Sequence, residues 1–256
     1  MSSGAPPRGP AAPRVETAGI VVIGDEILSG KVQDTNCNYL IGELRALGVA
    51  LRRVAYIPDV LDEIATTVRA FAGTYDHVFT SGGVGPTHDD MTMEGIARAF
   101  GTTVIRHPRL EQMLRDFYGA RLEERNLRMA EVPDGAALVE SDSIIWPVVT
   151  FGNVYILPGV PEIFRRKFGA IRERFRAAPW HLAAVYTGED EGRIAGHLDA
   201  VVARFPEVAI GSYPRIVAEG WRVKVTLESK DAAEVARAAA ELVERLGPEC
   251  VLSVER

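Results

Sequence analysis

Residues 17–36 read TAGIVVIGDEILSGKVQDTN. Thr17 to Ile23 is a short apolar, β-branched run ending at Gly24, the pattern of a strand covered on both faces in a parallel sheet. A polar loop follows, and from Asn36 the residues Tyr39, Leu40, Leu44 and Leu47 recur at helical spacing up to a glycine stop at Gly48. The unit repeats. Val49 to Ile57 predicts a strand, Leu61 to Phe71 a helix, and His77 to Thr80 a third strand leading into SGGVGPTHDD, residues 81–90. Alternating strands and helices predict an α/β fold with a mainly parallel sheet and helices on both faces.

Helices are expected over Met91 to Phe100 and over Pro108 to Arg125, the second carrying Leu110, Leu114, Phe117 and Leu122 as an apolar stripe. Pro133, Asp134 and Gly135 mark a turn. Short strands follow over 136–139, 146–151 and 154–157, with Gly152 and Asn153 as a tight hairpin turn, and Pro161 opens a helix through Phe175. The stretch Ala177 to Pro179 is the expected boundary, dividing a domain over 17–178 from a smaller one over 179–256. The second reads as β-α-β-β-α, with strands 182–187, 207–213 and 221–228 and helices 191–204 and 231–246. Residues 1–16 hold four prolines and no apolar run, so they read as a disordered tail and not as a secretory segment.

The 256 residues are 47% hydrophobic and 25% charged, which excludes collagen-like and wholly disordered classes. Only Cys37 and Cys250 are cysteines, far apart, so neither a disulfide framework nor a cysteine zinc site is expected, and a reducing cytoplasm is the expected location. No window is long and apolar enough for a membrane span. The net charge of −6 argues against a general nucleic-acid surface. Residues 181–256 hold nine basic and thirteen acidic residues, and their Gly188-to-Gly192 loop is acidic where an RNA clamp is open and basic, so nucleic acid is not an expected partner.

Two loops carry the chemistry. In Gly24 to Asn36, five residues separate Gly24 from Gly30 and Val32 follows Lys31, which rules out a Walker A loop; a dinucleotide fingerprint is absent too. Asp25 and Glu26 have the wrong sign for a bare phosphate, so a phosphate here calls for a cation between them. The plain alternative is a solvated turn in which Asp34 or Thr35 caps the next helix. In the second loop, Gly82, Gly83 and Gly85 permit positive φ and close backbone approach, an anion-binding nest at a strand's carboxyl end, where open α/β sheets bind ligands. Thr87 to Asp90 also fits a capping box, which would give Asp90 to the helix N-terminus alone. His88, Asp89 and Asp90 nevertheless adjoin the nest, and a carboxylate beside a phosphate site suits metal-assisted hydrolysis. Pro158 and Gly159, before Pro161, offer a further helix N-terminus. The five histidines lack zinc spacing, Ser81 lacks the setting of a nucleophile elbow, and His77, Trp146, Trp180 and Trp221 read as packing residues.

Taken together, GDEILSGKVQDTN, SGGVGPTHDD and ILPGVP resemble the molybdopterin-binding-like domain of the CinA family, related to the MoaB/MogA proteins and to the N-terminal domain of eukaryotic FAD synthase. The resemblance covers residues 17 to about 176, and residues 180–250 resemble the small KH-like domain that follows in CinA. It implies a three-layer α/β/α fold binding a phosphorylated pterin or nucleotide. For CinA-type members it implies hydrolysis of ADP-ribose or a related dinucleotide at its pyrophosphate, with a divalent metal (Mg, Mn or Co) and potassium. The matching positions are Gly24, Asp25, Glu26, Ser29, Gly30, Asp34, Thr35 and Asn36 in the first motif, and Ser81, Gly82, Gly83, Val84, Gly85, Pro86, Thr87, Asp89 and Asp90 in the second. The expected metal set is Asp25, Glu26 and Asp90, with Asp25, Asp89 and Asp90 as catalytic candidates. Alternatives are a molybdopterin-binding protein without hydrolase activity, or a non-catalytic regulatory subunit. A homodimer or trimer is expected, since short unpaired sheet edges need cover. The chain is too short for the amidase domain into which CinA proteins often continue. Where many relatives carry Asn-Pro…Ala-Pro-Gly, it has Glu140 to Pro147, ESDSIIWP.

Overall fold

The computed structural model describes residues 15–216 and 220–255. The chain divides into two compact units, Glu16–Ala177 and a second one holding Ala178–Arg256. In chain order the first contains β1 (Thr17–Ile23), α1 (Asp25–Leu28), α2 (Asn36–Ala46), β2 (Ala50–Ile57), α3 (Leu61–Ala72), β3 (His77–Ser81), α4 (Thr92–Phe100), β4 (Val104–Arg106), α5 (Pro108–Tyr118), β5 (Glu131–Pro133), β6 (Ala137–Val139), β7 (Val148–Phe151), β8 (Val154–Leu157) and α6 (Pro161–Ile171). Its six-stranded sheet has the order β2-β1-β3-β8-β7-β6. The first four strands are parallel, while β7 runs antiparallel to both β8 and β6.

β1 lies inside the sheet and is buried along all but its first residue, as an unbroken β-branched run requires. Its residues alternate between two cores. Val21 and Ile23 join the layer of α3, α4 and α5, while Ala18, Ile20 and Val22 join the layer of α2 and α6. The sheet is therefore sandwiched between helices on both sides, with every parallel strand ending on one edge. Phe79, Phe168 and Phe175 pack within 5.0–5.8 Å of one another under the second layer.

Several expected elements differ. Gly24 to Asn36 is not all loop, because Asp25–Leu28 closes one helical turn. α5 ends at Tyr118 rather than Arg125: Gly119 takes φ 53°, and the chain continues as 3-10 turns over Gly119–Arg121 and Glu124–Ala130. Phe117, assigned to the apolar stripe, is consequently 55% exposed. The helix from Pro161 turns to 3-10 form over Arg172–Phe175. The β4–β5 ribbon escaped the periodicity because three-residue strands show no alternation. Glu16, expected in the disordered tail, is tied to the sheet: its carbonyl accepts from Ala50 N–H at 2.8 Å and its carboxylate meets His77 at 2.9 Å. The rest of the expected disordered tail lies outside the described residues apart from Val15.

The second unit contains β9 (His181–Thr187), α7 (Glu191–Arg204), β10 (Ala209–Pro214), β11 (Val223–Ser229), α8 (Ala232–Leu246) and β12 (Val251–Glu255). Its antiparallel sheet has the order β10-β11-β9-β12. The last strand, absent from the sequence reading, completes a β-α-β-β-α-β pattern with split β-α-β connections, the ferredoxin-like arrangement. Ala183, Val185, Val223, Val225 and Leu227 face α7 and α8 in a single core.

Candidate functional site

Gly24, Asp59, Gly82 and Pro158 each follow the carboxyl end of a parallel strand or lie one residue beyond it, so four loops meet on one edge of the sheet. Gly82 is the closest crossing. Its N–H donates to Leu157 O at 3.2 Å, and a Cβ here would stand 2.1 Å from Ile23 O. With φ at +104°, only glycine suits the position. Gly83 also takes positive φ, +64°, and its Cβ would stand 2.4 Å from Thr92 Oγ1 and 3.5 Å from Asp59 Oδ1.

Thr92, fully buried, turns the glycine carbonyls inward: its hydroxyl donates to Gly82 O at 2.9 Å and its N–H to Gly83 O at 3.0 Å. Among the described residues the N–H groups of Gly83 and Val84 have no protein acceptor. This is a nest, with amides outward and carbonyls tied back. Gly85, expected to use positive φ, does not. It serves close approach instead, since a Cβ would lie 2.7 Å from Asp90 Oδ2.

Asp90 corrects a second expectation. The helix starts at Thr92 and has no side-chain cap. The Asp90 carboxylate closes its own loop, accepting from Gly85 N–H at 2.6 Å, Thr87 N–H at 2.8 Å and Thr87 Oγ1 at 2.5 Å. Its oxygens are occupied by the loop, and among the described residues no group of three or more His, Cys, Asp or Glu is arranged to hold a metal ion. Asp89 and Thr87 are exposed, and Asp89 is held below its usual value by hydrogen bonding to Thr87. Pro86 O accepts from Arg128 at 3.4 Å.

In the first motif, Asp34 takes the plain role: Oδ1 accepts from the N–H groups of Asn36 and Cys37 at 2.9 and 3.1 Å, and Oδ2 from Tyr56 at 3.0 Å. Thr35 and Gly30 are exposed, and Ser29 hydroxyl donates to Glu26 O at 3.3 Å. Asn36 is the tie between motifs. Only 4% exposed, it donates through Nδ2 to Ser81 Oγ at 3.0 Å and to Gly159 O at 2.7 Å, while its Oδ1 has no partner. All three sequence motifs thus converge on one place. Pro158 and Gly159 lead into α6, whose N-terminus also lacks a side-chain cap.

Asp59, missed by the sequence reading, stands between the acidic turn and the nest. Its Oδ2 accepts from Asp25 N–H at 2.9 Å. Burial pushes its carboxyl above the usual aspartate range, reinforced by the charges of Glu26, Asp25 and Asp89 and opposed by the Asp25 N–H. The signal that would have found it is position: Asp59 follows β2 as Asp25 follows β1.

Comparison with known proteins agrees with this architecture. Residues 19–176 match the family described as a probable molybdopterin binding domain, and residues 179–255 match the FAD synthase middle domain. A probable FAD synthase of Caenorhabditis elegans is 33% identical over 251 residues, spanning 87% of this chain and 48% of that protein. A CinA-like protein of Frankia casuarinae is 32% identical over 240 residues, spanning 85% of this chain and 55% of that protein. The chain thus spans about half the length of these relatives. The crystal structure of the protein CinA from Thermoplasma acidophilum superposes with a TM-score of 0.58 at 32% identity, over 63% of this chain and 98% of that one. With the match running through both glycine and acidic loops, the chain belongs to the probable molybdopterin-binding-domain family.

Proposed function

We propose that the Glu16–Ala177 unit binds the diphosphate bridge of ADP-ribose or a related dinucleotide and hydrolyses it with the help of a divalent cation. The observation that carries this reading is the pair of amides at Gly83 and Val84, without an acceptor among the described residues, in a turn whose Gly83 stands beside the Asp59 carboxylate. Amides in a nest favour an anion, while the carboxylates of Asp25, Glu26 and Asp59 repel a bare one. That combination suits a magnesium-type cation arriving with its phosphate, which needs only one or two protein carboxylates. Such a cation polarises a phosphoryl oxygen when bound.

The residues do the rest. The nest positions the bridge, and Asp59 Oδ1, free of the Asp25 N–H, accepts a proton from water as the water oxygen bonds to one phosphorus and the bridging P–O bond to it breaks, the bridging oxygen leaving with the other phosphate. AMP and a ribose phosphate leave. Its raised affinity for protons makes Asp59 a better base than an ordinary aspartate. The test is AMP release from ADP-ribose with Mg²⁺, Mn²⁺ or Co²⁺, with and without K⁺; no release under any combination overturns the reading.

A second reading follows from the family matched over residues 19–176: the same cleft holds molybdopterin without hydrolysis. Copurified pterin fluorescence with no AMP release would favour it. The probable FAD synthase relatives add nucleotidyl transfer as a third arm, read as FAD formed from FMN and ATP.

A further inference from the structure

The four-stranded sheet of the second unit buries one face under α7 and α8 and presents the other without a helix of its own. Register fixes what that other face carries. Tyr213 lies opposite Lys224, and Lys224 opposite Tyr186, so the three form a row across β10, β11 and β9. The next row is Gly211, Thr226 and Ala184, all small. The Tyr213 ring lies down over Gly211, occupying the space within 2.9 Å of where a Cβ would stand, and remains 56% exposed. Trp221, at the turn before β11, meets Tyr186 edge-on at 5.3 Å.

Charge on this face departs from the rest of the unit, which is acidic overall. Arg193, Arg204, Arg222, Arg237 and Arg245 all sit in ion pairs with carboxylates. Arg215 and Lys224 do not: among the described residues their charged groups rest only on aromatic rings, Arg215 over Trp221 at 4.3 Å and Lys224 over Tyr186 at 5.5 Å. The face also bears Glu255, which accepts from the Tyr186 hydroxyl at 2.9 Å, and Glu228, both toward the end away from Tyr213.

We propose that this face is a second nucleotide site, in which the base of a free nucleoside phosphate stacks on the outer side of the Tyr213 ring and its phosphate meets Lys224 and Arg215. Aromatic rings on an open sheet accept planar bases of any sequence, and two cations at one end, without an ion pair among the described residues, supply the charge complement although Asp190 and Glu191 line the pocket beside Arg215. The free nucleotide is favoured over a nucleic-acid strand because the unit is acidic and, among the described residues, Arg193, Arg204, Arg222, Arg237 and Arg245 are already paired with carboxylates. The site lies in the second unit and does not depend on the hydrolase reading of the first.

The experiment follows the Trp221 indole N–H in the ¹⁵N-labelled full chain, identified by its loss in Trp221→Phe, during titration with AMP, with FMN and with a short oligoadenylate. AMP or FMN is expected to move this signal saturably. Tyr213→Ala and Lys224→Glu should each weaken the effect about 10-fold, the scale of one stacked base. Gly211→Val, which lifts the Tyr213 ring without removing ring or charge, should weaken it too. A Trp221 signal that neither nucleotide moves at millimolar concentration overturns the proposal. So does unchanged affinity in all three variants, or oligoadenylate binding that is tighter than AMP and falls steeply with salt, which would make the face a strand surface.

Discussion

Single residues in the cleft are held in states that cost stability. Burial, reinforced by three neighbouring carboxylates, favours the protonated form of Asp59. For an acid whose folded value lies above the unfolded one, the stabilising contribution is present below the unfolded value and is lost as pH rises through the folded value. Once ionised, Asp59 therefore subtracts from stability. Asp59→Asn keeps an acceptor for the Asp25 N–H and removes the charge. It is expected to raise the melting temperature at pH 7, with the gain shrinking as pH falls through the raised folded value and gone once pH is below the ordinary aspartate range, and to reduce AMP release at least about 100-fold, the scale of a lost general base. Gly82 belongs to the same account, since neither its φ nor the Ile23 carbonyl beside it leaves room for a side chain. Asp59 itself was not legible in the sequence. A lone Pro-Asp after a strand has no motif, and its meaning comes from the nest that folds against it across the sheet.

At the scale of elements, the parallel strands and their helices were readable because long apolar runs and helical spacing extend over seven or more residues in β1, β2, α2 and α3. Short pieces were not. β4 and β5 are three residues each, and their pairing is set by the elements around them. Gly119 shows how one backbone angle shortens a helix that apolar spacing would continue. The layer holding α2 and α6 against the sheet depends on Phe79 and Phe168, both fully buried. Phe168→Ala should cost about 3–5 kcal/mol in urea unfolding. Because α6 also carries Gly159 at its entrance, bonded to Asn36, the same variant should weaken nucleotide binding in proportion to the population unfolded.

In the whole molecule, the two cores of the first unit and the core of the second share no side chain. Leu242, fully buried between α8 and the second sheet, tests the division. Leu242→Ala is expected to cost about 2–5 kcal/mol. That cost should appear in a calorimetric scan as one transition moving down while another, reported by AMP release, stays in place. A single transition moving as a whole would contradict separate cores. The sequence alone determined that strands alternate with helices, that a boundary falls near residue 178, and that glycine and acid loops sit at strand ends. Those features are local, carried by composition and spacing along the chain. Only the tertiary structure decided that Asp90 closes its own loop, that Asp59 faces the nest, and that Asn36 joins all three motifs. Each depends on which loops the parallel strand order brings to one edge, and contacts between residues 45 and 123 positions apart leave no periodic trace in the sequence.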